Sequence, residues 1–226
     1  MAKDKRRSKG STSVFDPGSV LTGSGPGQSR RLFAPTDVIY AQGEPGDAAL
    51  FVESGWVKMA TVAGSGREAV IALRGPGEFV GARCLLDLPR ASTATALTDC
   101  SIVRVTTPAL ISLLRRVPDF AEMFATYLVR QGMHDQENVV DHLTHSAEQR
   151  LVRTLLRLAD DGHGDSSIPT RISQALFAKM VGTTRSRVSF FMNRFKRQGF
   201  IEYGKDGRVR VHNSLRNAMA KDWLNP

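Results

Sequence analysis

Residues 173–196 read SQALFAKMVGTTRSRVSFFMNRFK, and this stretch decides how the C-terminal part of the chain folds. A helix-turn-helix needs a small residue where its two helices cross, a glycine in the turn, and an apolar residue that holds the second helix in place. At offsets of four and six residues, those positions are filled by Ala178, Gly182 and Val188. Either Thr183 or Thr184 can cap the second helix. The stretch therefore predicts a helix-turn-helix.

The outward face of the second predicted helix carries polar and basic side chains. Val188, Phe191 and Phe195 turn inward, which leaves outward Arg185, Ser186, Ser189 and Asn193, with Arg187, Arg194, Lys196 and Arg197 on the flanks. Arginine pairs with the guanine edge and asparagine with the adenine edge, while flanking cations suit phosphates. The expected DNA-contacting residues are Thr184, Arg185, Ser186, Arg187, Ser189, Asn193, Arg194 and Lys196.

The positive charge of the chain is concentrated in the same region. The 226 residues carry 31 Lys and Arg against 22 Asp and Glu, a net charge of +9. Residues 171–221 alone hold 12 basic and 2 acidic side chains, whereas residues 32–145 are net acidic at −4. Beyond Gly199, the runs 200–203 and 208–211 around a Gly-Lys-Asp-Gly turn predict a β-hairpin wing. Motif, wing and charge together predict binding to double-stranded DNA.

Composition excludes several classes of protein. No run approaches the 18 consecutive apolar residues of a membrane span, and no apolar segment follows the basic N-terminus as in a secretory signal. Two cysteines cannot build a disulfide framework and fit a reducing cytoplasm, where we expect the protein. The sequence holds no nucleotide-fold glycine fingerprint, nucleophile–base pair or paired carboxylate motif, so we expect neither an enzyme nor a metal site.

The N-terminal part of the chain divides into two regions of different composition. Residues 1–30 are basic at the start and then rich in Gly, Ser, Thr and Pro. They predict a flexible tail, either a basic arm on DNA phosphates or a solvated segment, because little apolar surface offsets the ordering entropy. Residues 31–118 contain short β-rich runs broken by Gly and Pro, which predict an antiparallel sandwich or roll.

A long helix is predicted over residues 119–145. The stripe that recurs at spacings of 4, 3, 4 and 4 consists of Leu128, Gly132, Asp135, Val139 and Leu143. About 27 residues of helix span roughly 40 Å, so this helix needs something to cover its apolar stripe. A second copy of the chain is the natural candidate, and packing on its own domain alone is the alternative. The expected dimer contacts are Leu128, Gly132, Val139 and Leu143, and the DNA-binding part follows over residues 146–226.

The order of these parts resembles the cyclic-AMP receptor / fumarate-nitrate regulator (Crp/Fnr) family of bacterial transcription factors. The likeness covers roughly residues 32–215 and is strongest over VGTTRSRVSFFM (181–192) and over residues 75–100. It implies an α+β fold in which a β-roll senses a ligand, a long helix dimerises, and a winged helix-turn-helix binds a palindromic operator. RNA polymerase is a further partner that the resemblance implies.

The resemblance also implies where an effector binds. In cyclic-nucleotide-binding members, a cassette follows the turn that Gly81 matches: a short helix and one arginine hold the cyclic phosphate, and a glutamate directly after the glycine holds the ribose 2′-hydroxyl. Arg90 falls on the arginine position, but Ala82 replaces the glutamate and Ala91 the usual hydroxyl residue. The Asp135-Gln136 pair aligns with the family's adenine-contacting Thr-Ser pair. The matched effector residues are Gly81, Ala82, Arg83, Cys84, Arg90, Ala91, Ser92, Asp135 and Gln136.

The substitution at Ala82 predicts weak binding of cyclic AMP. Losing a charged hydrogen-bond partner for a buried hydroxyl costs about 1.5–3 kcal/mol, or roughly 10- to 150-fold in affinity. Either another small anion occupies the pocket or the site is vestigial, and no cofactor is identified beyond this small anionic effector. The alternative to a DNA-binding regulator is a ligand-binding module that acts through protein partners.

Overall fold

The computed structural model describes residues 15–64, 66, 68–160 and 167–220. Its element order confirms the predicted α+β architecture, with an N-terminal antiparallel β-domain, a long helix and a C-terminal helix-turn-helix. None of the helices within these ranges has both the length and the apolar character needed to cross a membrane.

Within the described residues, eight strands form the N-terminal domain as two four-stranded antiparallel sheets. The first sheet has the spatial order β1-β8-β3-β6 and consists of β1 (Gln28–Phe33), β3 (Ala48–Ser54), β6 (Phe79–Val80) and β8 (Cys100–Thr106). The second has the order β2-β7-β4-β5 and consists of β2 (Val38–Tyr40), β4 (Val57–Val62), β5 (Glu68–Arg74) and β7 (Thr93–Ala96).

Strand β8 has buried side chains on both faces of the first sheet, and successive side chains point to opposite faces. Ile102 packs between the two sheets against a cluster that includes Val57. Val103 and Val105 point to the opposite face and pack in a second cluster beneath the helices that follow. Apolar residues on both faces therefore allow β8 to join the sheet pair to the helices.

Two helices cover that outer face. Helix α1 (Thr107–Arg116) has Leu110 fully buried, and helix α2 (Pro118–Thr144) begins with a proline at its first position, where no N–H bond is lost. The first turns of α2 bury Phe120 and Phe124, and the ring of Phe124 lies edge-on to Phe79 with centroids 5.0 Å apart. Beyond this aromatic cluster the helix continues with most of its side chains exposed.

The prediction of a tail over residues 1–30 is wrong for its second half, and residues 1–14 lie outside the described part of the chain. Residues 17–19 form a short 3-10 helix, and β1 already begins at Gln28. Leu21 is fully buried in the cluster beneath α1 and α2, and the ring of Phe15 lies 6.3 Å from that of Phe120. Average composition missed this segment because a few apolar side chains suffice to anchor it.

Over residues 147–160 and 167–220, the C-terminal domain shows four helices and a hairpin around one core. Its elements are α3 (Ala147–Asp160), α4 (Gln174–Val181), α5 (Arg185–Arg197), β9 (Ile201–Tyr203), β10 (Val209–Val211) and α6 (Asn213–Ala220). Leu151, Leu155, Phe177, Val188 and Phe195 are fully buried there. Strand β10 also accepts a hydrogen bond from Ile168 N–H to Val209 O at 2.8 Å, which ties the segment before α4 to the hairpin.

Candidate functional site

The turn between α4 and α5 has the geometry of a helix-turn-helix. Helix α4 ends at Val181 and is followed by Gly182, whose φ of +66° lies in the left-handed region that favours glycine. The N–H of Thr183 then donates to Ala178 O at 3.0 Å. The Oγ1 of Thr184 accepts from the N–H of Arg187 at 3.3 Å, so Thr184 rather than Thr183 caps α5.

Helix α5 separates a buried apolar face from an exposed polar one. Val188, Phe191, Met192 and Phe195 are buried against α3 and α4. Of the predicted DNA-contacting residues, the exposed ones are Thr184, Arg185, Ser186, Arg187, Asn193 and Lys196, while Ser189 is half-buried. Neither guanidinium of Arg185 and Arg187 has an ion-pair partner among the described residues, so both are available to an external anion.

Arg194 differs from its predicted role as a flanking phosphate contact. Its guanidinium forms an ion pair with Glu148 of α3, and both side chains are partly buried. The pair joins α5 to α3 inside the domain. Periodicity alone placed Arg194 on the flank of α5, whereas the position of α3 decides which group it meets.

The wing follows α5 as predicted. Strands β9 and β10 pair in antiparallel register, with Glu202 opposite Arg210. Arg210 Nη1 donates to Glu202 Oε1 at 2.7 Å, and Arg208 pairs with Asp206. These pairs neutralise part of the wing's charge, so the exposed basic groups that have no ion-pair partner among the described residues of this domain lie mainly along α5.

A cavity of about 260 Å³ lies in the β-domain where α2 crosses it. Among its lining residues are eight of the nine predicted effector residues: Gly81, Ala82, Arg83, Cys84, Arg90, Ala91, Ser92 and Asp135. Gln136 is exposed and does not line this cavity. The lining residues that sequence reasoning did not predict include Tyr40 of β2 and Tyr127 of α2.

Arg90 is the buried cation of this cavity. Only 8% of the residue is exposed, and its guanidinium carbon lies 4.3 Å above the ring of Tyr40. Its Nη1 donates to Gly81 O at 3.2 Å, its Nη2 lies 3.8 Å from Asp47 Oδ1, and its buried Nε has no hydrogen-bond partner among the described residues. Burial raises the pKa of Tyr40 to about 12, so the ring stays neutral beside the cation.

The cassette itself is short. Gly81, with φ +76°, precedes a five-residue 3-10 helix over Ala82–Leu86, and a Cβ at Gly81 would lie 2.1 Å from Arg90 Nη1. So short a helix contributes little dipole, and the capacity of the cavity for an anion rests on its arginines, of which Arg90 is the buried one while Arg74 and Arg83 also line it. Burial raises the pKa of the Cys84 thiol within the cassette and that of Cys100 on β8, which disfavours the reactive thiolates.

The exposed face of α2 is apolar over much of its length. The predicted dimer contacts Leu128, Val139 and Leu143 are exposed, and a Cβ at Gly132 would meet no other atom within 4 Å. The stripe predicted from the sequence did not include three further exposed apolar side chains of α2, Val129, Met133 and Val140. They neighbour the predicted positions on the helix surface and widen the apolar face.

The β-domain and the helix-turn-helix touch through β5 and α4. Val70 and Leu73 of β5 belong to the same apolar cluster as Leu151 and Phe177. The carboxylate of Glu68 on β5 accepts hydrogen bonds from the ammonium groups of Lys179 on α4 and Lys58 on β4, and these contacts lower the pKa of Glu68. A wider cleft of about 890 Å³ lies beside this contact, and Asp135 borders both that cleft and the Arg90 cavity.

Two protein families match this chain, one over each part of the site. Residues 30–117 match the cyclic nucleotide-binding domain, and residues 149–216 match the Crp-like helix-turn-helix domain. The first match includes the Arg90 cavity except for the residues of α2, and the second includes all of α4 and α5. The two matches therefore coincide with the two regions described above.

Individual relatives give the same assignment. The cyclic AMP receptor protein of Thermus thermophilus is 31% identical over 184 residues, which cover 80% of this chain and 83% of the relative. A CRP-like cAMP-activated global transcriptional regulator of Mycobacterium tuberculosis is 29% identical over 168 residues, covering 72% of this chain and 75% of that protein. The structure of FixK2 from Bradyrhizobium japonicum superposes with a TM-score of 0.74 at 19% identity, over 84% of this chain and 96% of that one, and shows the same fold. The chain therefore belongs to the Crp/Fnr family of transcription regulators, with a cyclic nucleotide-binding domain joined to a DNA-binding helix-turn-helix.

Proposed function

We propose that this protein is a homodimeric, sequence-specific transcription factor whose operator binding responds to a small anion in the Arg90 cavity. The observation that carries the DNA-binding part is the exposed face of α5, where Arg185 and Arg187 are unpaired within the described chain. Arg185 at the start of the helix is positioned for a guanine edge, and Arg187 and Lys196 for phosphates. As a regulator of transcription, the protein acts in the cytoplasm, and RNA polymerase is its expected protein partner.

The apolar face of α2 supports the dimer. A helix of 27 residues that leaves Leu143 79% exposed, with Met133 and Val139 more than half exposed, is stabilised by a second copy of the same helix. The two α5 helices of such a dimer enter successive major grooves about 34–36 Å apart, so the operator is a palindrome. Size-exclusion chromatography with light scattering tests for the dimer. Leu143→Glu, which puts a charge on the apolar face of α2, should shift the protein toward the monomer.

The Arg90 cavity supports an anionic effector. A buried guanidinium with an unpartnered Nε, facing a cavity just below the roughly 300–1,000 Å³ of typical ligand pockets, fits a small anion. Because Ala82 offers no carboxylate to a ribose hydroxyl, cyclic AMP binds more weakly than in members that keep the glutamate. An occupant that touches both Arg90 and Gln131 of α2 alters the packing of that helix and thereby the spacing of the two α5 helices.

One experiment tests the proposed function directly. DNA bound by the protein is selected from a random pool, with and without a metabolite extract, and the operator so obtained is used to compare wild type with Arg185→Ala. We expect the variant to lose selectivity while remaining a dimer. The matched control is Arg115→Ala, which removes another exposed arginine, from α1, and should leave operator binding intact. Undiminished selectivity in Arg185→Ala contradicts the assignment of α5.

A further inference from the structure

Phe190 lies in the middle of the outward face of α5. It is four residues after Ser186 and three before Asn193, which places the three side chains on one side of the helix, opposite the buried Val188 and Phe195. The side chain is 57% exposed. The face that we propose to enter the major groove therefore has a large apolar group at its centre.

The exposure of Phe190 is not explained by packing within the domain. Single exposed apolar residues are common on protein surfaces, so the position of Phe190 is what matters. The core beneath α5 is filled by Phe191, Met192 and Phe195, which are all buried. The ring of Phe190 meets that of Phe191 edge to face, with centroids 5.8 Å apart and planes at 66°. More than half of the side chain nevertheless remains exposed.

Two polar neighbours of Phe190 on α5 have their polar groups engaged with other residues of the domain. Arg194, one turn later, forms its ion pair with Glu148 on α3. Ser186, one turn earlier, has its hydroxyl 3.0 Å from Thr184 Oγ1 at the cap. The centre of the face thus presents a ring that can neither donate nor accept a conventional hydrogen bond, between Arg185 at one end and Asn193 at the other.

We propose that Phe190 is a specificity-determining residue that reads a thymine by contact with its C5-methyl group. The thymine methyl is the apolar group that the base edges expose in the major groove, and phenylalanine is among the side chains suited to contact it. This inference rests on the proposed function and adds an A·T position to each half-site, beside the bases read by Arg185 and Asn193.

Uracil substitution isolates the methyl group without changing base pairing. In the selected operator, each thymine is replaced by deoxyuridine at symmetric positions of both half-sites, and affinities are measured for wild type, Phe190→Ala and Phe190→Leu. For wild type, we expect uracil to weaken binding at one thymine position of each half-site. Each methyl group removed there should cost about fourfold in affinity, which corresponds to one buried methylene-sized group. Phe190→Ala binds the thymine and uracil operators equally at that position, and Phe190→Leu retains part of the difference.

The outcomes separate this inference from the proposed function. If wild type binds the operator selectively but discriminates no uracil, or if Phe190→Ala keeps the full discrimination, the reading of thymine by Phe190 is wrong while DNA binding stands. A Phe190→Ala variant with unchanged discrimination and lost transcription activation would assign the ring to a protein partner instead. If wild type selects no operator, both proposals fail. Thermal unfolding controls for folding, and we expect little change because the side chain is mostly exposed.

Discussion

Replacing Ala82 with glutamate is expected to strengthen the binding of cyclic AMP by about 10- to 150-fold. Ala82 is the first residue after Gly81 and lines the same cavity as Arg90. A carboxylate at this position restores the acceptor that, by resemblance to the family, holds the ribose 2′-hydroxyl. A hydrogen bond to a charged group contributes about 1.5–3 kcal/mol, and each 1.4 kcal/mol is a factor of ten in affinity.

The structure allows the longer side chain but places it near a cation. Ala82 is only half-buried, so a glutamate can extend along the cavity without displacing the core. Arg90 already contacts Gly81 O and lies 3.8 Å from Asp47, and it attracts any new carboxylate nearby. If the introduced carboxylate pairs with Arg90 instead of the ligand, the gain falls toward the bottom of the range. Ala82→Gln keeps the length without the charge, and we expect it to gain less.

Titration calorimetry with two ligands measures the effect. Wild type, Ala82→Glu and Ala82→Gln are titrated with cyclic AMP and with 2′-deoxy cyclic AMP, which lacks the hydroxyl in question. Ala82→Glu should prefer cyclic AMP over the deoxy ligand, and wild type should not. The reasoning is refuted if Ala82→Glu gains no affinity, if it gains equally for both ligands, or if wild type already binds cyclic AMP below micromolar concentration. Arg90→Gln in the Ala82→Glu background should abolish binding, because the cavity then loses its buried cation.

Two further predictions concern the ion pairs. Arg194→Ala should lower the free energy of unfolding by about 1–2 kcal/mol, because it leaves the partly buried carboxylate of Glu148 without this arginine, and it should leave operator selectivity intact. Thermal melts and the binding assay together check this. Lost selectivity at full stability would contradict it. Since Lys179 and Lys58 lower the pKa of Glu68, the contact between β5 and α4 is present at neutral pH and is lost as the pH falls through that lowered pKa. Glu68→Gln should therefore lower the free energy of unfolding at pH 7 by less than about 1 kcal/mol, and the difference from wild type should disappear in acid. The exposed control Glu122→Gln should show no such difference at pH 7.

Local signals were sufficient to predict the helix-turn-helix. The glycine of the turn, the threonine cap and the apolar positions of α5 all act within a few residues of one another, because caps and helix faces depend on neighbours in sequence. The same local signals could not assign Arg194, whose partner Glu148 lies on another helix. They also did not single out Phe190, whose exposure beside the ring of Phe191 emerged only from the structure.

The pocket depended on contacts between distant parts of the chain. The cassette residues from Gly81 to Ser92 are close in sequence, and resemblance to the family identified them together. Tyr40, which lies under the guanidinium of Arg90, comes from β2, and Tyr127 comes from α2. Gln136 was matched to the effector site, but the direction of its side chain from α2 keeps it out of the cavity.

By itself, the sequence determined the kind of protein this is. Periodicity, turn residues and the concentration of positive charge over residues 171–221 predicted a β-domain, a long helix and a basic helix-turn-helix, because each of these signals is local or compositional. Only the tertiary structure decided which charges remain available to DNA, that residues 15–30 belong to the β-domain, and that Arg90 is buried against Tyr40 with an unpaired Nε. Burial and pairing arise when strands and helices far apart in sequence pack together, and no local pattern specifies those distances.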